Sequence, residues 1–284
     1  MKATLLFPNG REKALTLSYD DGVNTDIRFI ELMKKYNIKC TFNINSGLFG
    51  PEMKREERKG EIFALSEKKA REVYDDELIE VATHGYTHPY FDRQPTAQCM
   101  LEILKDRQSL EKLFGRIIRG HAYPYGKYND EVVGILKSAG IAYARTTTAT
   151  HDFTIPSDWL RLHPTCHHAD PEIFSLTDRF VEGEIGNGDG WLFYLWGHTY
   201  EFERDDNWHI IEGFFEKIAG REDIWYATNI EVYEYVEAYK RLIYSADADM
   251  VYNPTDTDIW VNINGAKKYI GAGATVKLKQ THQI

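Results

Sequence analysis

Short apolar runs alternate with stretches of helical periodicity along most of the chain, the pattern of repeated βα units. Strands are expected at 13–19, 38–45, 78–83, 117–123, 141–147, 160–167, 191–198 and 224–227. Between them, helical spacing runs from a Thr25 cap to about residue 36, and from Pro95 in a first turn to Gly115, a residue that ends helices. Further helices are expected at 130–139 (closed by Gly140), 171–181, 208–219 and 229–244. The charged stretch 51–69 reads as a solvated insertion or helix, and Gly186 to Gly190 as a flexible turn. Seven or eight such units predict an α/β fold closed as a β/α barrel rather than an open sheet.

After residue 245 the rhythm changes. Two β-rich runs, 258–263 and 267–270, flank Asn264-Gly265, a pair that suits a type I′ hairpin turn, and a last strand at 274–279 can join them. The expected organisation is a barrel over 1–245, with about seven strands, and a small C-terminal β appendage over 246–284.

Composition narrows the partners. A net charge of −10 disfavours nucleic acid and anionic membrane, which need clustered Lys and Arg, and leaves neutral or cationic substrates. The 18 Tyr, 14 Phe and 6 Trp suit a carbohydrate-facing cleft and equally a well-packed barrel. Three cysteines (Cys40, Cys99 and Cys166) lie far apart with no CxxC pair, against both a disulfide framework and a cysteine zinc site. No charged-then-apolar leader precedes the strand at 13–19, and no run reaches the ~20 apolar residues of a membrane span. The expectation is a cytoplasmic chain, or an extracellular one if a leader has been removed.

The chemistry gathers at strand ends. Asp20 and Asp21 close the first barrel strand in Ser18-Tyr19-Asp20-Asp21-Gly22. Alone, the pair reads as an Asp-Gly turn, because neighbouring carboxylates repel and resist desolvation. A cation changes that balance: one carboxylate can ligate it while the other handles protons. His84 and His88 follow the strand at 78–83, four apart, where Gly85 and Pro89 disfavour a regular helix; on a loop they can converge on one metal. With Asp21 they would form a set of two histidines and one carboxylate. Ala122-Tyr123-Pro124-Tyr125-Gly126 forms a tight turn that can aim a backbone N–H into a cleft, and His198 ends the run from Trp191. His163, Cys166, His167 and His168 read as strand and loop residues near the rim, with a second metal site as the sharper alternative. No G-x-S-x-G element supports a serine hydrolase.

Taken together and in this order, these motifs resemble those of the polysaccharide deacetylases (carbohydrate esterase family 4, the NodB homology domain) over about residues 13 to 200. The T-F-D-D-G-type motif is matched by Ser18 to Gly22, the H-x-x-x-H-type motif by His84 and His88, the R-x-P-Y-G motif in part by Tyr123 to Gly126, and the late histidine by His198. The resemblance implies a distorted β/α barrel. It also implies a divalent metal, usually Zn2+, on Asp21, His84 and His88. Asp20 would be the general base, the Tyr125 backbone N–H an oxyanion donor, and His198 the acid for the leaving amine.

One departure stands out: the arginine that opens the third motif is Ala122 here, as in an A-Y-P-Y-G variant. Arg145, on the same rim, and Arg161 are the candidates to hold Asp20 instead; Asp158-Trp159 keeps the acidic-aromatic core of a loosened fourth motif. The activity expected is metal-dependent removal of an N-acetyl group from an amino sugar in an oligo- or polysaccharide containing N-acetylglucosamine. The alternatives are hydrolysis of a non-sugar amide at the same site, and a silent carbohydrate-binding protein. The presence of base, ligands and acid speaks against the latter.

Overall fold

In a computed structural model, residues 3–50, 62–186 and 188–278 of the 284 are described. The expected insertion at 51–69, the Gly186–Gly190 turn and the strand at 274–279 fall partly outside them. Strand β1 (Ala3–Leu6) precedes the barrel, whose first strand is β2 (Lys13–Asp20). Helix α1 (Asp26–Lys35), β3 (Cys40–Ile44), α2 (Glu67–Tyr74) and β4 (Ile79–Thr83) follow. Then come α3 (Thr96–Phe114), β5 (Gly120–Ala122), α4 (Asp130–Ser138) and β6 (Tyr143–Arg145). The second half carries β7 (Cys166–His167), α5 (Ile173–Glu182), β8 (Trp191–Gly197), α6 (Thr199–Arg204), α7 (His209–Ile218), β9 (Ile224–Tyr226) and α8 (Asn229–Lys240).

Seven strands run in the order β6-β5-β4-β3-β2-β8-β7, all parallel, and β9 pairs with the first half of β2. Leu162, just before β7, bridges back to Arg145 of β6, its N–H on the Ala144 carbonyl at 2.9 Å. The Leu162 carbonyl also accepts from the Thr146 N–H at 2.9 Å, and these two bonds bring the sheet's two ends together. The result is the distorted β/α barrel that the sequence pattern and motifs implied.

Helices cover the outside of the barrel, and there the apolar core sits: Leu15, Leu17 and Tyr19 of β2 pack with Phe29, Phe42, Phe193, Leu195 and Phe214. The alternate positions face inward and are polar, as period-two strand geometry requires. Near the amino end, Glu80 accepts from Thr41, Tyr143 and the Ile230 N–H at 2.7–2.9 Å, so the first turn of α8 plugs the barrel. Burial pushes the Glu80 carboxyl up to about 7 against these donors. Asn229, also in that turn, accepts from Thr16 and donates to Tyr194, both at 2.7 Å. With this end closed, the carboxyl end is the open one, where barrel loops gather functional groups.

The C-terminal run folds as β10 (Ile243–Tyr244), β11 (Met250–Tyr252), β12 (Ile259–Ile263), β13 (Ala266–Ile270) and β14 (Thr275–Lys277). Asn264 and Gly265 join β12 to β13 with positive φ (51° and 85°), the hairpin that Asn-Gly predicted. Strand β1 pairs antiparallel with β12, and the Tyr235 hydroxyl of α8 donates to the Leu6 carbonyl while accepting from the Trp260 N–H. Helix 229–244 therefore ends earlier than expected, at Lys240, because residues 243–244 are drawn into the sheet with β11.

Candidate active site

Asp20 is the last inward residue of β2 and is buried. The Asn43 side-chain amide, from the neighbouring strand, donates to its Oδ1 at 2.8 Å, and the Arg145 guanidinium binds its Oδ2. Arg145 is fully buried, with its guanidinium carbon 4.2 Å from the centre of the Trp196 ring. Burial works to raise the Asp20 pKa, but Arg145, then His84 and His198, outweigh it, and the carboxyl is held below its ordinary range. It is an anion positioned on both oxygens.

Asp21 leaves the strand with φ 87° and meets the two histidines of the next loop. His88 Nε2 lies 3.6 Å from Asp21 Oδ1, and His84 Nε2 lies 4.0 Å from the same oxygen. One ligand atom from each of the three falls within 4.8 Å of the others. The His84 Nδ1–H donates to the Ala122 carbonyl at 2.8 Å, so its Nε2 lone pair faces the carboxylates. Burial lowers the His84 pKa and prevails over both aspartates, which favours the neutral ring. Two imidazole nitrogens and a carboxylate are the donors a divalent cation takes.

Helix α3 holds this loop from below. Asp106 accepts from the backbone N–H of His84 (2.9 Å) and of Ser46 (2.8 Å), while Glu102 accepts from Thr87 N–H (2.7 Å). Asn45 grips the His84 and Gly85 carbonyls. His88 and Tyr125 both adopt positive φ (59° and 58°), as Asp21 does. Three non-glycine residues in the left-handed region facing one cleft is the clustering of backbone strain that functional sites show. The Tyr125 ring stacks on Tyr90 at 3.9 Å and meets the His88 ring at 4.4 Å.

His198 follows β8, with Nε2 3.8 Å from Asp20 Oδ2 and Nδ1 3.3 Å from Glu201 Oε2. Burial lowers its pKa, but Glu201 first, then Asp21 and Asp20, more than compensate and the net shift is upward. Glu201 is itself approached by His167 and His168 at 3.1 and 3.2 Å. The cleft enclosed by these groups is about 580 Å³ and is lined by Asp20, Asp21, His84, His88, Tyr125, Trp196 and His198, among others.

Sequence reasoning had paired this cleft with either Arg145 or Arg161, and the structure brings only Arg145 to Asp20. Arg161 instead binds Asp158 at 2.7 Å and Asp130 at 2.5 Å on the exposed rim. Asp158 is spent there and in capping the Leu160 N–H at 3.1 Å, because residues 159–161 form a short helical turn rather than the start of a strand. Asn43 and Glu201 had gone unnoticed. Glu201 stands three residues after His198, a spacing that a helix starting at Thr199 would have made visible.

The fold and the cleft define a β/α barrel with a carboxylate–imidazole centre at its carboxyl end. Residues 8–144, just under half of the chain, match the polysaccharide deacetylase family model. A poly-beta-1,6-N-acetyl-D-glucosamine N-deacetylase from Staphylococcus aureus (strain MRSA252) is 29% identical over 139 residues, 44% of this chain and 46% of that protein. The match thus spans about half the length of the curated relatives. Among solved structures, the family 4 carbohydrate esterase domain of a multidomain xylanase from the hindgut metagenome of Trinervitermes trinervoides aligns with a TM-score of 0.50. It is 15% identical and covers 80% of this chain and 92% of that one, a likeness of fold. A family 4 pseudoenzyme from Bacillus anthracis aligns at TM-score 0.48 with 18% identity over 81% of this chain and 68% of that one. No helix among the described residues is long and apolar enough to cross a membrane.

Proposed function

We propose that this chain hydrolyses the N-acetyl amide of an amino sugar in an oligo- or polysaccharide containing N-acetylglucosamine, releasing acetate, with a divalent metal, Zn2+, held by Asp21, His84 and His88. The observation that carries the reading is the separation of Asp20 from Asp21. One carboxylate is clamped by Arg145 and Asn43, while the other turns toward the Nε2 atoms of two imidazoles, His84 and His88. A bound cation would polarise the amide carbonyl and lower the pKa of attacking water.

The protein residues then divide the remaining work. Asp20, kept ionised by Arg145, accepts the water's proton at Oδ2. The turn at Tyr125 offers its backbone N–H to the developing oxyanion. His198, kept protonated above its ordinary range by Glu201, gives a proton from Nε2 to the departing amine. The stacked Tyr90 and Tyr125 rings form an apolar wall on which a sugar face can lie.

Acetate release from N-acetylglucosamine oligomers, with and without a chelator, tests the reading. Asp20→Asn is expected to keep the metal and lose at least about 100-fold in rate, as loss of a general base does, whereas Asp21→Asn is expected to lose both. Full acetate release in Asp20→Asn would remove the base assignment. Release from simple linear or cyclic amides and not from sugar oligomers would move the substrate class.

A further inference from the structure

Hydrolysis as proposed uses the Nε2 side of His198. Its Nδ1 side belongs to a second cluster at the cleft's edge. His167 Nε2 stands 3.1 Å, and His198 Nδ1 3.3 Å, from the same oxygen of Glu201. One donor atom from each of these three lies within 4.8 Å of the others. Donors about 2.0–2.1 Å from a tetrahedral cation sit roughly 3.3–3.4 Å apart, so both edges already have nearly the needed length.

The cluster is also accessible and braced. The three side chains are 24%, 20% and 15% exposed, enough for an ion and its water to reach them. Behind them, fully buried His168 stands 3.2 Å from the same Glu201 oxygen and backs the carboxylate. Positive charge near the cluster comes from Arg204, 3.8 Å from the other Glu201 oxygen.

We propose that His167, Glu201 and Nδ1 of His198 form a second divalent-cation site whose filling inhibits the enzyme. Loading displaces the Nδ1 proton of His198 to solvent and moves the remaining proton of His167 to its Nδ1. The Ala169 N–H then gives up that acceptor, a hydrogen bond of 3.1 Å. A cation on Nδ1 takes the place of the proton that made the ring imidazolium, and the Nε2–H that remains facing Asp20 belongs to a neutral, metal-bound imidazole, a far weaker acid toward the departing amine. The inhibitory half of the proposal rests on the reading of His198 as the acid; the binding half does not.

Equilibrium dialysis of the untagged, metal-stripped full chain against zinc, with metal counted by atomic emission, separates the two sites. The expectation is two equivalents for the wild type, with the second lost in His167→Ala and weakened at least about tenfold in the gentler His167→Gln. Asp21→Asn is expected to lose the other equivalent and keep this one. A single wild-type equivalent that survives His167→Ala and disappears in Asp21→Asn would overturn the second site and leave the first intact. Two equivalents that both survive Asp21→Asn would instead overturn the first. Raising zinc from one equivalent to a large excess is expected to slow wild-type acetate release at least about fivefold and leave the rate of His167→Ala flat. Equal responses in the two proteins would overturn the inhibition.

Discussion

Replacing Arg145 tests the centre of the argument. Its guanidinium is fully buried, meets one oxygen of an equally buried Asp20 and lies against Trp196, so alanine leaves a carboxylate with no countercharge on that oxygen. Breaking a buried pair by deleting one partner costs about 3–5 kcal/mol. Asn43 keeps its bond to the other oxygen, which does not replace the lost charge. The protein can meet the cost in two ways: by losing stability, or by protonating Asp20.

In the second case, at about 1.4 kcal/mol per pKa unit, the Asp20 pKa climbs by about two to three and a half units from its depressed value, so the base is silenced on the acid side and recovers as the pH rises. The sign follows from Arg145 holding the Asp20 pKa down: without it the pKa rises and the acid limb of the rate profile moves to higher pH. The deficit should therefore shrink as pH rises from 6 to 9. The assay is kcat/KM for acetate release across that range, with thermal melts and metal content measured on each protein. Arg145→Lys, which keeps the charge, is expected to shift the limb less. Arg161→Ala, whose side chain pairs with Asp130 and Asp158 on the rim, is expected not to shift it. Arg145→Ala with folded protein, an unmoved acid limb and a rate within about threefold of wild type would refute the role.

Glu201→Gln removes the first cause of the raised His198 pKa and lets burial prevail, so the alkaline limb of the same profile should move to lower pH; an unmoved limb would detach Glu201 from His198. Asp26, fully buried under Thr199, Tyr74 and the Val23 N–H, is pushed by burial from 3.8 up to about 7. Because the folded value lies above the unfolded one, its stability contribution is complete below about pH 4 and is lost as pH rises to 7. At 1.36 kcal/mol per unit this amounts to roughly 4 kcal/mol. Urea titrations of wild type and Asp26→Asn at pH 4 and pH 7 should differ in that direction, and a constant gap would discard the ionisation argument. A Cβ at Gly197 would stand 2.0 Å from His168 Nδ1, so Gly197→Ala should destabilise by about 1–3 kcal/mol, read as a lower melting temperature; an unchanged melt would mean that His168 has room to move.

How far the chain could be read from its sequence follows from which contacts are local. The barrel strands announced themselves by composition and spacing, and Asp20, Asp21, His84, His88, Tyr125 and His198 each sit at a strand end that the pattern located. Strand β1 escaped because its partner, β12, lies more than 250 residues away in sequence. Helix α6 is six residues long, too short for periodicity to declare it, and Glu201 was hidden with it. Asn43 looked like one polar residue in an apolar strand. Only the register of β3 against β2, which sets Asn43 opposite Asp20, gives it a task. The inward polar face was hidden for a related reason. All eight residues of β2 are buried, so burial alone does not tell Thr16, Ser18 and Asp20 from Leu15, Leu17 and Tyr19.

That alternation also explains how adjacent aspartates come to share one cleft. Consecutive residues of a strand point to opposite faces, so a continued β2 would send Asp21 outward among the apolar side chains under the helices. The strand ends instead. The Asp21 N–H still donates to the Asn43 carbonyl at 2.9 Å, completing the ladder, and then φ values of 87° at Asp21 and 65° at Gly22 turn the chain. The turn brings the second carboxylate round to His84 and His88 on the same side as the first. A non-glycine residue held there costs about 1–3 kcal/mol, which neither the carboxylate pair's own repulsion nor the apolar packing of β2 repays. A cation bound by Asp21 and the two histidines would repay it. Asp20 stays on the polar barrel face with Arg145, and Asp21 faces His84 and His88.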